Sequence, residues 1–323
     1  MILTRSPYTI TPSKTVSTTE VIGMQLYCWT TGTNRPASYE YYISKVLPPR
    51  EVEFELSNLI KDFYKYTPIY YTTTGVRKSL VGNVVAVDAF LTYLSPVNTE
   101  NILGQFALDG YGYFEEGMNP ETPVNGILLS NDYYLVNASG YFNIPVLKTA
   151  GQIKINGVNK SYQTGTEVSS QVQNIWLNLA EFSSDITVEV GTHKIYLELQ
   201  TECKYEPKEV MFLNRFGCWE VMTFFKKSVE SIKTESKEFK PYSRIYERYN
   251  TNGRTSLEFN SGFVPEWYNE TIKQLLLSEH VYLLEDGKHI PLNVETSSYE
   301  FKTRKADKLI SHNLKFIHAF DLI

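Results

Sequence analysis

Four of the five histidines, His280, His289, His312 and His318, fall in the last quarter of the chain, where a metal site or a general base would first be sought. Their spacings match neither the helical pair of a zinc protease nor the paired ligands of a zinc finger. Single histidines at a surface or in a hairpin are the better reading. Cys28, Cys203 and Cys218 are an odd number at wide spacing, which suits neither a disulfide framework nor a zinc site. They are expected to be reduced and partly buried, and no metal or cofactor is expected.

The carboxylates give no stronger signal. Glu115 and Glu116 are adjacent, so on a strand they would face opposite sides and could not flank one glycosidic bond. A second carboxylate would have to come from elsewhere, and the sequence does not place Asp109 or Asp132 opposite them. There is no GxSxG elbow, P-loop or GxGxxG ahead of a helix, and Gly110-Tyr111-Gly112 has too few glycines to cradle phosphates. The chain therefore reads as non-enzymatic. Tyr111, Tyr113 and Phe114, or Tyr133 and Tyr134, could stack on a sugar ring through their apolar faces. Packing within a loop or an interface is the reading favoured for them.

The elements that would carry these residues are mostly strands. Aromatics make up 14% of the 323 residues, with 24 Tyr and 17 Phe, and with Thr, Val and Ile they favour β structure. At 42% hydrophobic the chain can build real cores. Net charge is −5 and no stretch gathers a basic face, which argues against nucleic acid as a partner. No window approaches a membrane span, and MILTRSPYTI lacks the charged and apolar regions of a signal peptide, so a cytoplasmic origin is expected.

The chain is organised around Met211–Phe225, MFLNRFGCWEVMTFF, read as a strand, a kink at Asn214, Arg215 and Gly217, and a second strand. Phe212, Phe216, Trp219 and Phe224 are its candidate core, and Trp219 needs a partner for its indole N–H. Upstream, strands are expected at 21–29, 39–47, 51–56, 69–74 and 83–94. A short helix over Leu56 to Tyr64 has Ser57 or Asn58 able to cap it. Residues 95–170 shift toward Gly, Asn and Pro and read as loop-rich, apart from a hairpin turning at Asn156-Gly157. Strands follow at 173–182, 186–190 and 193–201. Lys226–Lys240 mixes Lys, Glu, Ser and Thr, as a solvated strand pair or an arm docking on a neighbouring subunit would. Pro265 opens a helix to about residue 279 with Tyr268, Ile272, Leu275 and Leu276 on one side. Strands 281–284 and 290–294 turn at Asp286-Gly287, and 309–319 closes the chain. The expected architecture is all-β with a few short helices, in β-sandwich-type domains. Residues 1–205 form an N-terminal domain with a loop-rich insertion at about 95–170. Residues 206–323 form a C-terminal β domain with one helix.

Several stretches carry a family likeness: Thr4-Arg5-Ser6-Pro7-Tyr8, Phe54 to Phe63 (FELSNLIKDF), and the seam Leu213-Asn-Arg-Phe-Gly-Cys-Trp219. Leu275-Leu-Leu-Ser278, Val281-Tyr-Leu283, Ile290-Pro-Leu292 and Lys308-Leu309 add to it. On these the chain resembles tail and neck structural proteins of phages that infect Bacteroidota, including crAss-like phages. The resemblance implies a non-catalytic, β-sandwich-rich virion subunit that forms a cyclic ring at the tail hub or neck and contacts other tail proteins. Interface-prone aromatics and strand edges that a ring can pair are compatible with that expectation. The alternative is a glycan-binding module for host attachment, with the 95–150 loops as its contact surface.

Overall fold

The computed structural model describes residues 1–12, 20–31, 33–47, 52–68, 71–78, 83–94, 97–117, 119, 125–148, 151–160, 171–202, 204–240, 242, 245–296, 298–300 and 309–322. The fold is mostly β, as the composition predicts, with two short α-helices among these residues.

The first elements are β1 (Ile2–Leu3), β2 (Thr9–Ile10), β3 (Glu20–Thr30), β4 (Tyr41–Leu47), β5 (Phe54–Glu55), α1 (Ser57–Lys61), β6 (Gly75–Lys78), β7 (Val85–Leu94) and β8 (Val97–Leu108). Five of them form a sheet in the order β1-β8-β7-β3-β4. Alternation along β3 sends Ile22, Met24, Leu26 and Cys28 to one face, where they bury with Val85, Val87, Ala89, Leu91 and Tyr93 of β7. Helix α1 closes this core with Leu56 and Ile60. Its cap differs from the expectation: Leu56 is the capping position, and the Ser57 N–H donates to Glu55 Oε1 at 2.9 Å. The strand expected at 51–56 is reduced to β5. Of the strand expected at 69–74, residues 69 and 70 lie outside the described residues, and the extended structure begins only at Gly75.

The reading of 95–170 as loop-rich is corrected. It holds β8, β9 (Tyr133–Asn137), β10 (Tyr141–Leu147), β11 (Ile153–Ile155) and β12 (Val158–Lys160). Some of the Gly and Asn residues that suggested loop lie inside these strands, as Asn101 and Gly104 do in β8 and Asn143 in β10, and others sit in turns, as Gly140 does between β9 and β10. Asn156 and Gly157, at φ +49° and +76°, make the expected tight turn joining β11 to β12. Next come β13 (Val172–Asn178), β14 (Ile186–Val190) and β15 (His193–Gln200). They complete a three-stranded sheet, β10-β13-β6, and a five-stranded sheet, β12-β11-β14-β15-β9.

The last elements are β16 (Lys208–Leu213), β17 (Trp219–Phe224), β18 (Val229–Phe239), β19 (Glu247–Pro265), α2 (Tyr268–Leu276), β20 (Val281–Glu285), β21 (Lys288–Val294) and β22 (Leu309–His318). They build a seven-stranded sheet ordered β17-β16-β20-β21-β22-β19-β18, with α2 against it. Asp286 and Gly287, at φ +51° and +71°, form the expected turn between β20 and β21. Pro265 does not open the helix. It ends β19 opposite Leu309, and α2 starts at Tyr268. One apolar cluster gathers Tyr134, Phe142, Trp176 and Val188 with Phe212, Trp219, Phe259 and Phe316, so the faces of three sheets meet in it. No helix among the described residues is long and apolar enough to cross a membrane.

Candidate functional site

The sequence of β18, VESIKTESKEF, has no apolar stripe at either strand face, so it has nothing to bury. Ten of its eleven residues are exposed, and it forms one edge of the seven-stranded sheet. Its only strand partner among the described residues, β19, is 19 residues long, and β22 pairs with just the Ser256–Pro265 part of it. The base of this hairpin is pinned. Lys233 pairs with Glu295, Arg254 with Asp321 at 3.1 Å, and the Leu322 N–H donates to the Gly253 carbonyl at 2.7 Å.

Beyond Gly253, Glu235–Phe239 runs against 247–252 as a two-stranded ribbon with no third strand among the described residues. At about 3.3 Å per residue this free part is about 17 Å long. A bulge at Glu235/Lys237, with Asn250 at φ +51°, increases its twist. Phe239 meets Tyr249 edge-on at 5.5 Å, and the Lys240 ammonium lies 5.3 Å from the Tyr246 ring centre. Tyr242 is fully exposed, and Ile245 and Tyr246 are about two-thirds exposed. Eighteen large apolar side chains are exposed among the described residues, and seven lie in this hairpin: Val229, Ile232, Phe239, Tyr242, Ile245, Tyr246 and Tyr249. That concentration is greater than scattered surface exposure gives. A two-stranded ribbon without a packed face is at best marginally stable in water.

The opposite edge of the same sheet is sealed. All six residues of β17 are buried, and Phe212, Phe216, Trp219 and Phe224 are core residues as expected from the sequence. In the Asn83 amide orientation that satisfies both its ends, the Trp219 indole N–H donates to Asn83 Oδ1 at 3.1 Å. Between these aromatics Glu220 is fully buried. It accepts from the Ser130 N–H (3.1 Å), Ser130 Oγ (2.5 Å), Tyr134 OH (2.9 Å) and Asn214 Nδ2 (2.8 Å). Burial raises its carboxyl pKa, and these donors oppose the shift. Asn214 also takes the Phe216 and Cys218 N–H groups on its Oδ1, which fixes the kink, and Gly217 adopts φ +69°. A Cβ at Gly217 would lie 2.7 Å from the Asp109 backbone, so the kink is fitted to the 109–116 loop. Glu209 on β16 is buried against Gly140, and burial pushes its pKa up to about 7. Both glutamates are missed from the sequence, although a lone acid inside an apolar run is a signal that could have found Glu220; Glu209, next to Lys208 at the head of its run, carries no such signal.

The residues suspected of chemistry are dispersed. Glu116, in a single 3-10 turn with Phe114 and Glu115, pairs with Arg215 at 2.8 Å. Asp109 is buried and accepts from Tyr66 OH at 2.6 Å and Thr4 Oγ1 at 3.4 Å, while Asp132 offers its carbonyl to the Tyr196 N–H. His280 lies against Tyr66 at 3.9 Å between ring centres, His289 beside Tyr282, His312 is buried on β22 beside Tyr299, and His318 lies against Phe320. Among the described residues no three His, Cys, Asp or Glu side chains come together to hold a metal. Cys28 and Cys218 are free and buried, and burial together with Glu40 raises the Cys28 thiol to about 12. Cys203 lies outside the described residues.

The aromatic loop residues are engaged within the chain. Tyr113 carries the Lys273 ammonium at 3.5 Å and the Arg215 guanidinium at 5.3 Å from its ring centre, and its hydroxyl donates to Glu270 at 2.8 Å. Tyr111 packs edge-on to Tyr113 and carries Arg5 at 5.0 Å. Phe114 is exposed, and Tyr134 is buried in the Glu220 network. Tyr133 stands beside Trp267 at the rim of an open groove of about 360 Å³ that Glu198, Gln200 and Phe263 also line. Comparisons with protein-family models, curated proteins and solved structures find no match to this chain.

Proposed function

We propose that this chain is a non-enzymatic virion subunit that assembles into a ring in a phage tail hub or neck, and that the β18–β19 arm is one of the surfaces through which it contacts its neighbours. The class comes from the resemblance of the seam and terminal stretches to tail and neck proteins. One structural observation carries the assembly reading. Of the two edges of the seven-stranded sheet, one is sealed by the chain itself, and the other projects as a ribbon with an aromatic tip. Covering such an edge with another subunit removes both the unpaired backbone and the exposed rings from water.

Native mass measurement with negative-stain imaging of the purified protein tests it. Uniform closed oligomers are the expected result. A monomer at every concentration, with no binding to tail proteins produced alongside it, would overturn it.

A further inference from the structure

The chain has a second open edge. Strand β4 ends the first sheet and, among the described residues, pairs only with β3, in an unbroken register from Tyr41 to Leu47. Natural edge strands are guarded by charges, proline, bulges or shortness. Within its seven residues, YYISKVL, β4 has no proline, no bulge and one charge, Lys45, whose ammonium is turned back onto the Glu53 carbonyl. Tyr42, half exposed and laid across Gly23, and Val46, 59% exposed, stand on its open face. The exposed edge β12 is only three residues long. Among the described residues β4 is thus an unguarded edge and the β18 arm a projecting one, and they lie in different sheets.

Resting on the assembly reading above, we propose that β18 of one copy adds to the free edge of β4 on a second copy, head to tail. In the antiparallel register that sets Glu235 opposite Lys45, the seven residues Lys233–Phe239 match the whole of β4. Phe239 then meets Tyr41, Ser236 meets Ser44 and Thr234 meets Val46. No like charges face each other, the pair carries one aromatic cross-strand contact, and Glu235 would draw the Lys45 ammonium off the Glu53 carbonyl to make an opposite-charge contact. Two different surfaces on one chain make a heterologous contact, which closes into a ring when the rotation between copies permits. The tip residues Tyr242, Ile245 and Tyr246 would then reach past Tyr41 toward Tyr39, which is also exposed.

Complementation between two defective full-length chains tests the proposal. One carries Phe239→Ser, Tyr246→Ser and Tyr249→Ser and keeps β4 intact. The other carries Tyr42→Lys and Val46→Lys and keeps the arm. Val46→Lys alone serves as a second acceptor variant that leaves Tyr42 on Gly23, and thermal melts establish that all three are folded. Wild-type protein is expected to assemble, each variant alone to be monomeric by native mass, and the arm and acceptor variants mixed to give a 1:1 dimer that grows no further. Acceptor variants that assemble like wild type, or a mixture that stays monomeric, would overturn the head-to-tail contact and leave the arm's role in assembly standing. An arm variant that assembles like wild type would overturn both, and a wild-type protein that stays monomeric would overturn the head-to-tail contact.

Discussion

Strands β17 and β18 are the two edges of one seven-stranded sheet and follow each other directly in the chain, yet one is wholly buried and the other almost wholly exposed. The difference is written in residue type. WEVMTF offers large apolar groups on both faces, so β17 is taken into the core where three sheets meet, and its single charge, Glu220, is satisfied by four donors. VESIKTESKEF offers charge and hydroxyl on both faces, so β18 gains nothing from its own core and stays at the surface. The edge that folding does not seal extends into a ribbon tipped with aromatics, the surface that the assembly proposal assigns to a neighbouring chain.

The largest expected effects fall on the sealed edge. Trp219→Ala should cost about 3–5 kcal/mol in chemical denaturation, because it empties a packed site among Tyr282, Asn83 and the three-sheet core. A cost under about 1 kcal/mol would show that the seam is not the core of the fold. Next is a pH effect. Burial raises the Glu209 pKa in the folded state to about 7, so folded protein holds a proton that unfolded protein releases from about pH 4.5 upward. Its contribution is fully present below about pH 4.5 and is lost as pH rises to about 7. The loss is on the order of 3 kcal/mol. Glu209→Gln should flatten that slope and leave the variant the more stable one above pH 7, and an unchanged slope would place the titration elsewhere.

Glu220→Gln replaces an acceptor with a group that turns N–H toward one of the four donors, and a loss of about 1–3 kcal/mol is expected. Smallest of all is the arm. Tyr246→Ala should change the stability of the monomer by no more than about 0.5 kcal/mol. A loss comparable to that of Trp219→Ala would mean that the arm packs within its own chain, and the contrast between the edges would fail.

Local chemistry made part of this fold legible. The Asn156-Gly157 and Asp286-Gly287 turns need positive φ at two successive residues, a requirement carried by the residues themselves, and both lie where the sequence places them. The seam was visible because its apolar runs are dense. Strand β19 was not, since Asn250, Asn252 and Gly253 break any alternation and its order comes from pairing with its hairpin partner β18 and with β22, which is distant in sequence. The strands within 95–170 were obscured in a like way, since Asn98, Asn101 and Gly104 interrupt the apolar pattern of β8 and Asn143 and Pro145 that of β10. The polar mix of 226–240 suggested a solvated strand pair or an arm, and the structure places there a single exposed strand, β18, whose partner β19 lies beyond that range. The Glu220 network was hidden because its donors, Ser130, Tyr134 and Asn214, converge only through tertiary packing.

The most direct test of the central claim, that the arm is ordered by a neighbour rather than by its own chain, is amide hydrogen exchange at low and high protein concentration. The expected result is fast exchange of 235–239 and 247–252 in dilute protein, strong protection of the same amides once the protein assembles, and slow exchange of β16 and β17 throughout. Equal protection of the arm at every concentration, or none at any, would contradict it.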